Sequence, residues 1–115
     1  MNIKNKIIHG NSFEILKSIE DKSVDLIFVD PPYNLQLRDT LYRPDQTAVE
    51  AVTNDWDKFE NYNVYDQFSS KWLSECKRIL RDGGALWVIG TYHNIFRLGS
   101  CIQNKGFWIL NDIIW

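Results

Sequence analysis

Four consecutive residues, Asp30-Pro31-Pro32-Tyr33, stand at the end of an apolar run that begins at Val24. The Asp30 carboxylate and the main-chain carbonyl of Pro31 are hydrogen-bond acceptors, and Tyr33 adds a flat ring with a polar tip. Neither proline has an amide hydrogen to donate, and the residue before each proline is driven to an extended conformation. We therefore expect these four residues, called the lip below, to form a stiff segment that presents acceptors beside an aromatic ring.

This set of groups suits a planar base that carries an exocyclic amine. The lone pair of such an amine is delocalised into the base ring, so the amine is a poor nucleophile. Two preorganised acceptors that take both N–H bonds return electron density to the nitrogen and favour tetrahedral geometry there. Asp30 need not deprotonate the neutral amine first, because the proton becomes acidic only once the nitrogen starts to bond to an electrophile.

The elements that hold the lip can be predicted from the apolar pattern. Residues 24–29 predict a strand buried on both faces of a parallel sheet, and residues 85–89 predict a second strand. Between them, residues 64–80 predict a helix with one apolar stripe, ended by Gly83 and Gly84 in a left-handed cap. The stripe consists of Tyr65, Phe68, Trp72, Cys76 and Ile79. Since parallel strands present their carboxyl ends together, the loop 90–94 is expected to open beside the lip.

The alternation of strands and helices continues toward both ends of the chain. Residues 6–9 predict a first strand, and Ser12 predicts the N-cap of the helix that follows. Asn94 predicts the N-cap of a third helix, and residues 107–110, continued by 113–115, predict a last strand. This order predicts an α/β fold with a parallel sheet and right-handed crossovers.

Composition limits the class of protein. The 115 residues are 44% hydrophobic and 24% charged, which is typical of one small globular domain. No apolar run is long enough to cross a membrane, so a cytoplasmic protein without a membrane partner is expected. Cys76 and Cys101 lack metal-ligand spacing and are expected to be reduced, buried thiols, and no metal site is expected. The net charge of −2 is unusual for a DNA-binding protein, so the basic surface is expected in sequence outside this chain.

The residues around the lip resemble a known enzyme family. Asp30-Pro31-Pro32-Tyr33 after an apolar strand resembles the catalytic motif of the amino-group DNA methyltransferases, which use S-adenosylmethionine. Together with four further segments, the motif resembles the N-terminal part of the beta-group, cell-cycle-regulated adenine-N6 DNA methyltransferases over nearly the whole chain. These segments are residues 34–37, 55–59, 87–97 and 106–115.

The resemblance implies a fold class and a domain assignment. It implies a Rossmann-like parallel sheet of the methyltransferase type in the permuted beta-group order, with residues 1–115 as the N-terminal part of the catalytic domain. In that order the glycine-rich cofactor loop and the target-recognition region come downstream, and no such glycine-rich loop follows a strand here. We therefore expect the chain to be truncated and inactive alone, and the complete protein to be a homodimer.

The resemblance also implies roles for the lip and for Asn11. An adenine flipped out of double-stranded DNA would stack on Tyr33, while Asp30 and the Pro31 carbonyl hold its N6 amine and Pro32 completes the motif. The methyl group of S-adenosylmethionine would be taken by in-line displacement. The cofactor would meet Asp30 and Asn11, although the family usually has Asp where Asn11 stands. A short palindromic target of the GANTC kind, modified at its first adenine, is also implied.

A long loop, residues 34–63, follows the lip where DNA would have to enter. It interleaves basic and aromatic residues, which could grip DNA or stack on bases, although a surface loop pinned by its own buried aromatic residues is an alternative. His93 is expected to be a contact rather than a catalyst, because the proposed chemistry needs no histidine. The candidate substrate contacts are Leu35, Leu37, Arg38, Arg43, His93 and Asn94.

Three alternatives stay open from the sequence. Cytosine N4 presents a similar amine, and Asp at the first position of the motif favours adenine without deciding the question. A catalytically silent fragment that dimerises with a complete copy, or a folded remnant, would explain the acidic charge and the missing glycine-rich loop. An unrelated α/β domain with a mere turn at the lip fits the flanking segments poorly.

Overall fold

The computed structural model describes residues 1–35, 44–47 and 58–115. Its elements in chain order are α1 (Ser12–Lys17), β1 (Val24–Val29), α2 (Tyr62–Ile79), β2 (Leu80–Val88) and α3 (Ile95–Asn104). The strands β1 and β2 pair in parallel, with α2 in the connection between them. The predicted α/β class with a parallel sheet is confirmed.

The core lies on one face of this sheet, where α2 and α3 pack against each other and against the strands. Buried side chains at the predicted helical spacing come from both helices, and alternate strand residues such as Ile27 and Val88 pack against them. A fully buried leucine such as Leu73 or Leu98 stabilises the fold by about 1.5–3 kcal/mol. The buried set is Trp72, Leu73, Cys76, Leu98 and Cys101.

The opposite face of the sheet is open. Leu26 is 56% exposed and Phe28 is 67% exposed, and Trp87 on β2 and Ile89 directly after it are also exposed. The prediction that β1 is buried on both faces is therefore wrong for the part of the chain that the structure describes. The reason is that α2 and α3 both lie over the face that carries Ile27 and Val29.

The glycines that were predicted to end α2 lie instead in a bulge of β2. Val24 pairs with Leu80 but Leu26 pairs with Ala85, so residues 81–84 stand opposite a single residue of β1. Gly83 has a φ of +77°, which glycine adopts without steric strain. The predicted glycine cap is wrong because β2 begins at the residue that directly follows α2, and that residue is extended.

Both predicted outer strands are absent from the described structure. Residues 6–9 and 107–115 form no strand, and most of the apolar side chains of the second segment are exposed, including Trp108 and Ile114. Their apolar pattern suits a strand, but a strand forms only where it can share a ladder of hydrogen bonds, and neither segment pairs with β1 or β2. Of the four predicted strands, two form the sheet in the part of the chain that the structure describes.

Arg78 fastens α1 to α2. Its guanidinium donates to the carbonyl oxygens of Leu16 at 2.9 Å and Ile19 at 2.8 Å, at the carboxyl-terminal end of α1 and just beyond it. It also pairs with Asp21 and Glu75, whose hydrogen bonds raise the pKa of Arg78 above its ordinary value. None of the described helices is long and apolar enough to span a membrane.

Candidate active site

The lip lies at the carboxyl-terminal edge of the sheet. The last ladder contact is a hydrogen bond of 2.9 Å from the Ile89 amide to the Val29 carbonyl oxygen, and Asp30 follows directly. Asp30 is exposed, Pro31 is buried and Pro32 is half-buried. The prolines therefore seat the lip against the protein while the carboxylate faces solvent.

Tyr33 folds back onto Asp30. Its hydroxyl donates a short hydrogen bond to Oδ1 of the Asp30 carboxylate. A carboxylate offers two oxygens and about four acceptor positions, so Asp30 keeps the capacity to accept from an amine. The contact joins the aromatic ring and the acceptor into one unit, a detail that the residue types alone did not predict.

The carbonyl of Pro32 is held by a hydrogen bond from α2. Tyr65, in the first turn of α2, donates its hydroxyl hydrogen to that carbonyl oxygen at 2.7 Å. The hydroxyl in turn accepts from Nδ2 of Asn94 at 2.9 Å, and Oδ1 of Asn94 accepts from the Thr91 amide at 2.8 Å. These bonds connect the lip, α2 and the loop after β2.

The apolar pattern predicts Tyr65 only as part of the stripe of α2, and its contact with the lip was not predicted. The signal that could have found it is chemical, because a buried tyrosine hydroxyl needs a hydrogen-bond partner. Asn94 was predicted both to cap α3 and to contact substrate. It occupies the N-cap position without a capping hydrogen bond from its side chain, and it is buried with both ends of its amide bonded within the chain.

Asn34, directly after the lip, is hydrogen-bonded to Phe59 near the end of the long loop. It has a φ of +58° and is buried, and its Oδ1 accepts from the amide of Phe59 at 3.2 Å. The Phe59 ring packs edge-on against Tyr65 with ring centroids 4.9 Å apart, and tilted against Phe68 at 5.1 Å. Phe59, near the end of the loop, thus packs against α2, while residues 36–43 and 48–57 of the loop lie outside the described residues.

A cavity of about 390 Å³ opens next to Asn34, the residue that follows the lip, and none of the four lip residues lines it. Its size lies at the lower end of the range for small-molecule sites, about 300–1,000 Å³. Two predicted substrate contacts, Leu35 and His93, line it, and His93 stacks on Tyr92 with ring centroids 4.3 Å apart. The full lining is Asn34, Leu35, Glu60, Asn61, Tyr62 and His93. The remaining predicted contacts, Leu37, Arg38 and Arg43, lie outside the described residues.

Asn11, the predicted cofactor residue, caps α1. Its Oδ1 accepts from the amides of Phe13 at 3.0 Å and Glu14 at 3.3 Å, so the predicted cap at Ser12 is wrong by one residue. An asparagine can accept from both amides at once when it stands one position before the helix.

The described residues do not form a cradle for S-adenosylmethionine by themselves. The cap oxygen of Asn11 is already bonded to α1, and the paired glycines lie where β2 begins, at the edge of the sheet opposite the lip. Of the two residues predicted to contact the cofactor, Asp30 is the one that lies in the lip, and it is exposed. Within the described ranges no group of three or more metal-ligating side chains occurs.

The site is thus an exposed carboxylate, followed by two prolines, at the carboxyl end of a strand in a parallel α/β unit. Residues 24–115, from the start of β1 onward, match the model of the N6/N4 DNA methylase family. The chain belongs to this family of DNA methylases.

Two curated proteins illustrate the similarity. The chain is 49% identical over 111 residues to the Type II methyltransferase M.HinfI of Haemophilus influenzae, covering 96% of this chain and 31% of the relative. It is 35% identical over 114 residues to the Type II methyltransferase M2.DpnII of Streptococcus pneumoniae, covering 97% of this chain and 42% of the relative. The chain thus spans less than half the length of these relatives.

Proposed function

We propose that this chain forms the amine-binding part of a site-specific DNA methyltransferase that modifies N6 of an adenine flipped out of duplex DNA. The observation that carries the proposal is the lip, which presents the exposed Asp30 carboxylate at the carboxyl edge of a parallel sheet. Membership of the N6/N4 DNA methylase family supports the same reaction class.

The lip residues divide the work on the amine. In this proposal one N6–H bond points at the Asp30 carboxylate and the other at the Pro31 carbonyl, while the Pro32 carbonyl accepts from Tyr65. Both acceptors are fixed before the base arrives, so little reorganisation is needed as positive charge develops on nitrogen. Tyr33 supplies the ring against which the base stacks, and its bond to Asp30 keeps ring and carboxylate in register.

The methyl donor of this proposal is S-adenosylmethionine, which would supply an electrophilic methyl group. We assign Asp30 and Asn11 to its binding; because Oδ1 of Asn11 caps α1, Asn11 would contribute through Nδ2 of its side-chain amide. The glycine-rich cradle would come from elsewhere in the whole protein. The permuted beta-group order, a homodimeric assembly and a GANTC-type target modified at its first adenine belong to the proposal as well. They rest on the resemblance described in the sequence analysis.

Cytosine N4 is the second candidate amine. The family model covers both N6 and N4 enzymes, so membership alone does not separate them. The lip chemistry is the same for either base, because each carries an exocyclic amine conjugated to a ring. Asp at the first position of the motif favours adenine.

The test is methyl transfer by the whole protein from labelled S-adenosylmethionine to unmethylated duplex DNA, followed by digestion and identification of the modified base. N6-methyladenine is expected, and it should vanish in Asp30→Ala. Asp82→Ala is the matched control, since Asp82 is exposed and lies at the other end of the sheet. N4-methylcytosine would select the second candidate, and no incorporation by folded protein would refute the proposal.

The 115-residue chain should be assayed beside the whole protein. We expect it to transfer no methyl group, because its described residues do not form a cofactor cradle. Incorporation by this chain alone would refute that part of the proposal.

A further inference from the structure

We propose that Tyr65 and Asn94 are positioning residues that fix the lip for methyl transfer, an inference that rests on the proposed function. Two consecutive prolines leave the lip without amide hydrogens at positions 31 and 32, so its backbone there can be held only through carbonyl oxygens. The hydrogen bond from Tyr65 to the Pro32 carbonyl supplies such a hold, next to Tyr33 and two residues from Asp30.

The direction of the hydrogen bonds makes Asn94 necessary for this hold. A tyrosine hydroxyl has one hydrogen, and here it is directed to the Pro32 carbonyl. Nδ2 of Asn94 donates to the same hydroxyl, which orients that hydrogen toward the lip. Oδ1 of Asn94 accepts from the Thr91 amide, so Asn94 is itself fixed by the loop after β2.

Burial makes the arrangement costly to disturb. Tyr65 and Asn94 are each 1% exposed, so water cannot replace a lost partner without opening the structure. Gly90 allows the loop to approach this closely, because a Cβ there would lie 3.1 Å from Oδ1 of Asn94 and 2.8 Å from Cδ1 of Ile95. The hold on the lip therefore depends on the tertiary packing of α2 against the loop.

The network also connects the lip to one wall of the cavity. Pro32 belongs to the lip, while Thr91 and Asn94 belong to the loop that carries His93, which lines the cavity. Acceptors and cavity wall thus keep a fixed relative position. Since a misplacement of about 1 Å can lower a rate by about 100-fold, loss of this connection should act on the chemical step.

The first test compares two hydroxyl deletions on α2 in the whole protein. Tyr65→Phe keeps the ring that packs against Phe59 but removes both hydrogen bonds. Ser69→Ala is the matched control, because Ser69 is buried one turn further along and its Oγ has no partner among the described residues. Tyr65→Phe should lower kcat by about 10- to 100-fold with KM for DNA and cofactor changed less than about twofold, whereas Ser69→Ala should keep the wild-type kcat.

The second test reverses the direction of the hydrogen bond between Asn94 and Tyr65. Asn94→Asp keeps the shape of the side chain and an acceptor for the Thr91 amide, but it cannot donate, so the Tyr65 hydroxyl should turn toward the new carboxylate and release Pro32. Asn104→Asp, at an exposed position of α3, controls for the added charge. The double variant Tyr65→Phe/Asn94→Asp should have a kcat within about threefold of the lower single variant, because both changes break one unit.

Amide hydrogen exchange separates this inference from the proposed function. In Tyr65→Phe, exchange at residues 33–35 and 91–94 should become at least about tenfold faster, while Ser69→Ala leaves it unchanged. Unchanged exchange at the lip, or a kcat within twofold of the wild type, would overturn the positioning role. If exchange is faster in Tyr65→Phe but the wild-type protein transfers no methyl group, the proposed function is overturned, while the role of Tyr65 in holding the lip stands.

Discussion

Asn34 offers a test of the lip that depends on the backbone as well as on the side chain. Its φ of +58° places it in the left-handed region, where asparagine is tolerated better than residues with a plain Cβ. Its Oδ1 accepts from the Phe59 amide at 3.2 Å, and it is only 8% exposed. Substitutions at this position should therefore separate conformational strain from hydrogen-bond loss.

The magnitudes follow from these two contributions. Asn34→Ala adds about 1 kcal/mol of left-handed strain and removes the acceptor of a half-buried amide, which costs about 1–3 kcal/mol, so a loss of about 2–4 kcal/mol is expected. Asn34→Gly loses the acceptor without the strain and should retain about 1 kcal/mol more stability than Asn34→Ala. Asn34→Asp keeps an acceptor and tolerates the backbone, so it should be the mildest change.

Urea unfolding followed by tryptophan fluorescence measures this series, with the midpoint expected to fall in the order wild type, Asp, Gly, Ala. A change of 1 kcal/mol shifts the midpoint by roughly 0.3–1 M, which is readily resolved. Equal midpoints for Asn34→Gly and Asn34→Ala would refute the left-handed conformation. An Asn34→Asp variant as unstable as Asn34→Gly would refute the hydrogen bond to Phe59.

Three further predictions concern the lip and the core. Asp30→Asn replaces a carboxylate oxygen with a donor that repels the amine, so kcat for methyl transfer should fall by about 100- to 1,000-fold with little change in KM, and a fall below tenfold would contradict the role of Asp30. Tyr33→Phe keeps the ring and should lose less activity than Tyr33→Ala, in which loss of base stacking worth about 1–3 kcal/mol weakens DNA binding by roughly 5- to 150-fold; equal losses in a binding titration would contradict stacking. Burial, helped by the charge of Glu75, raises the pKa of Cys76 to about 11, so its thiol stays protonated in the folded chain while an unfolded thiol ionises near pH 9. Folding stability should therefore fall as pH rises from about 9 to 11, a slope that Cys76→Ala should reduce in urea titrations at several pH values; an unchanged slope would contradict the buried thiol.

The helices could be predicted to within a few residues, because their apolar spacing is a local property. The helix predicted at 64–80 extends over Tyr62–Ile79, with Tyr65, Trp72 and Cys76 of its stripe buried, although Phe68 is exposed at its margin. The end of that helix could not be predicted from Gly83 and Gly84, since the same two residues suit a cap and a bulge equally well. Pairing with β1 selects the bulge.

The outer strands were predicted from pattern alone, and there the pattern was insufficient. Residues 107–110 have the composition of a buried strand, but a strand is defined by the partner that shares its hydrogen bonds. Likewise, the apolar run of β1 is compatible with cover on one face or on two. The described helices cover one face only.

The sequence by itself determined the chemistry of the lip. Asp30 supplies a carboxylate, the prolines exclude amide donors and stiffen the backbone, and the preceding apolar strand places them at a sheet edge. These are properties of residue types and of neighbours in the chain. They need no knowledge of distant contacts.

Only the tertiary structure decided how the lip is held. Tyr65 and Asn94 are 29 residues apart, and nothing in their local sequence connects either of them to Pro32. Folding brings them together because α2 packs under the carboxyl edge of the sheet, and burial then requires that each polar group find a partner. The acceptor set is thus a property of the sequence, whereas its fixed geometry is a property of the packed fold.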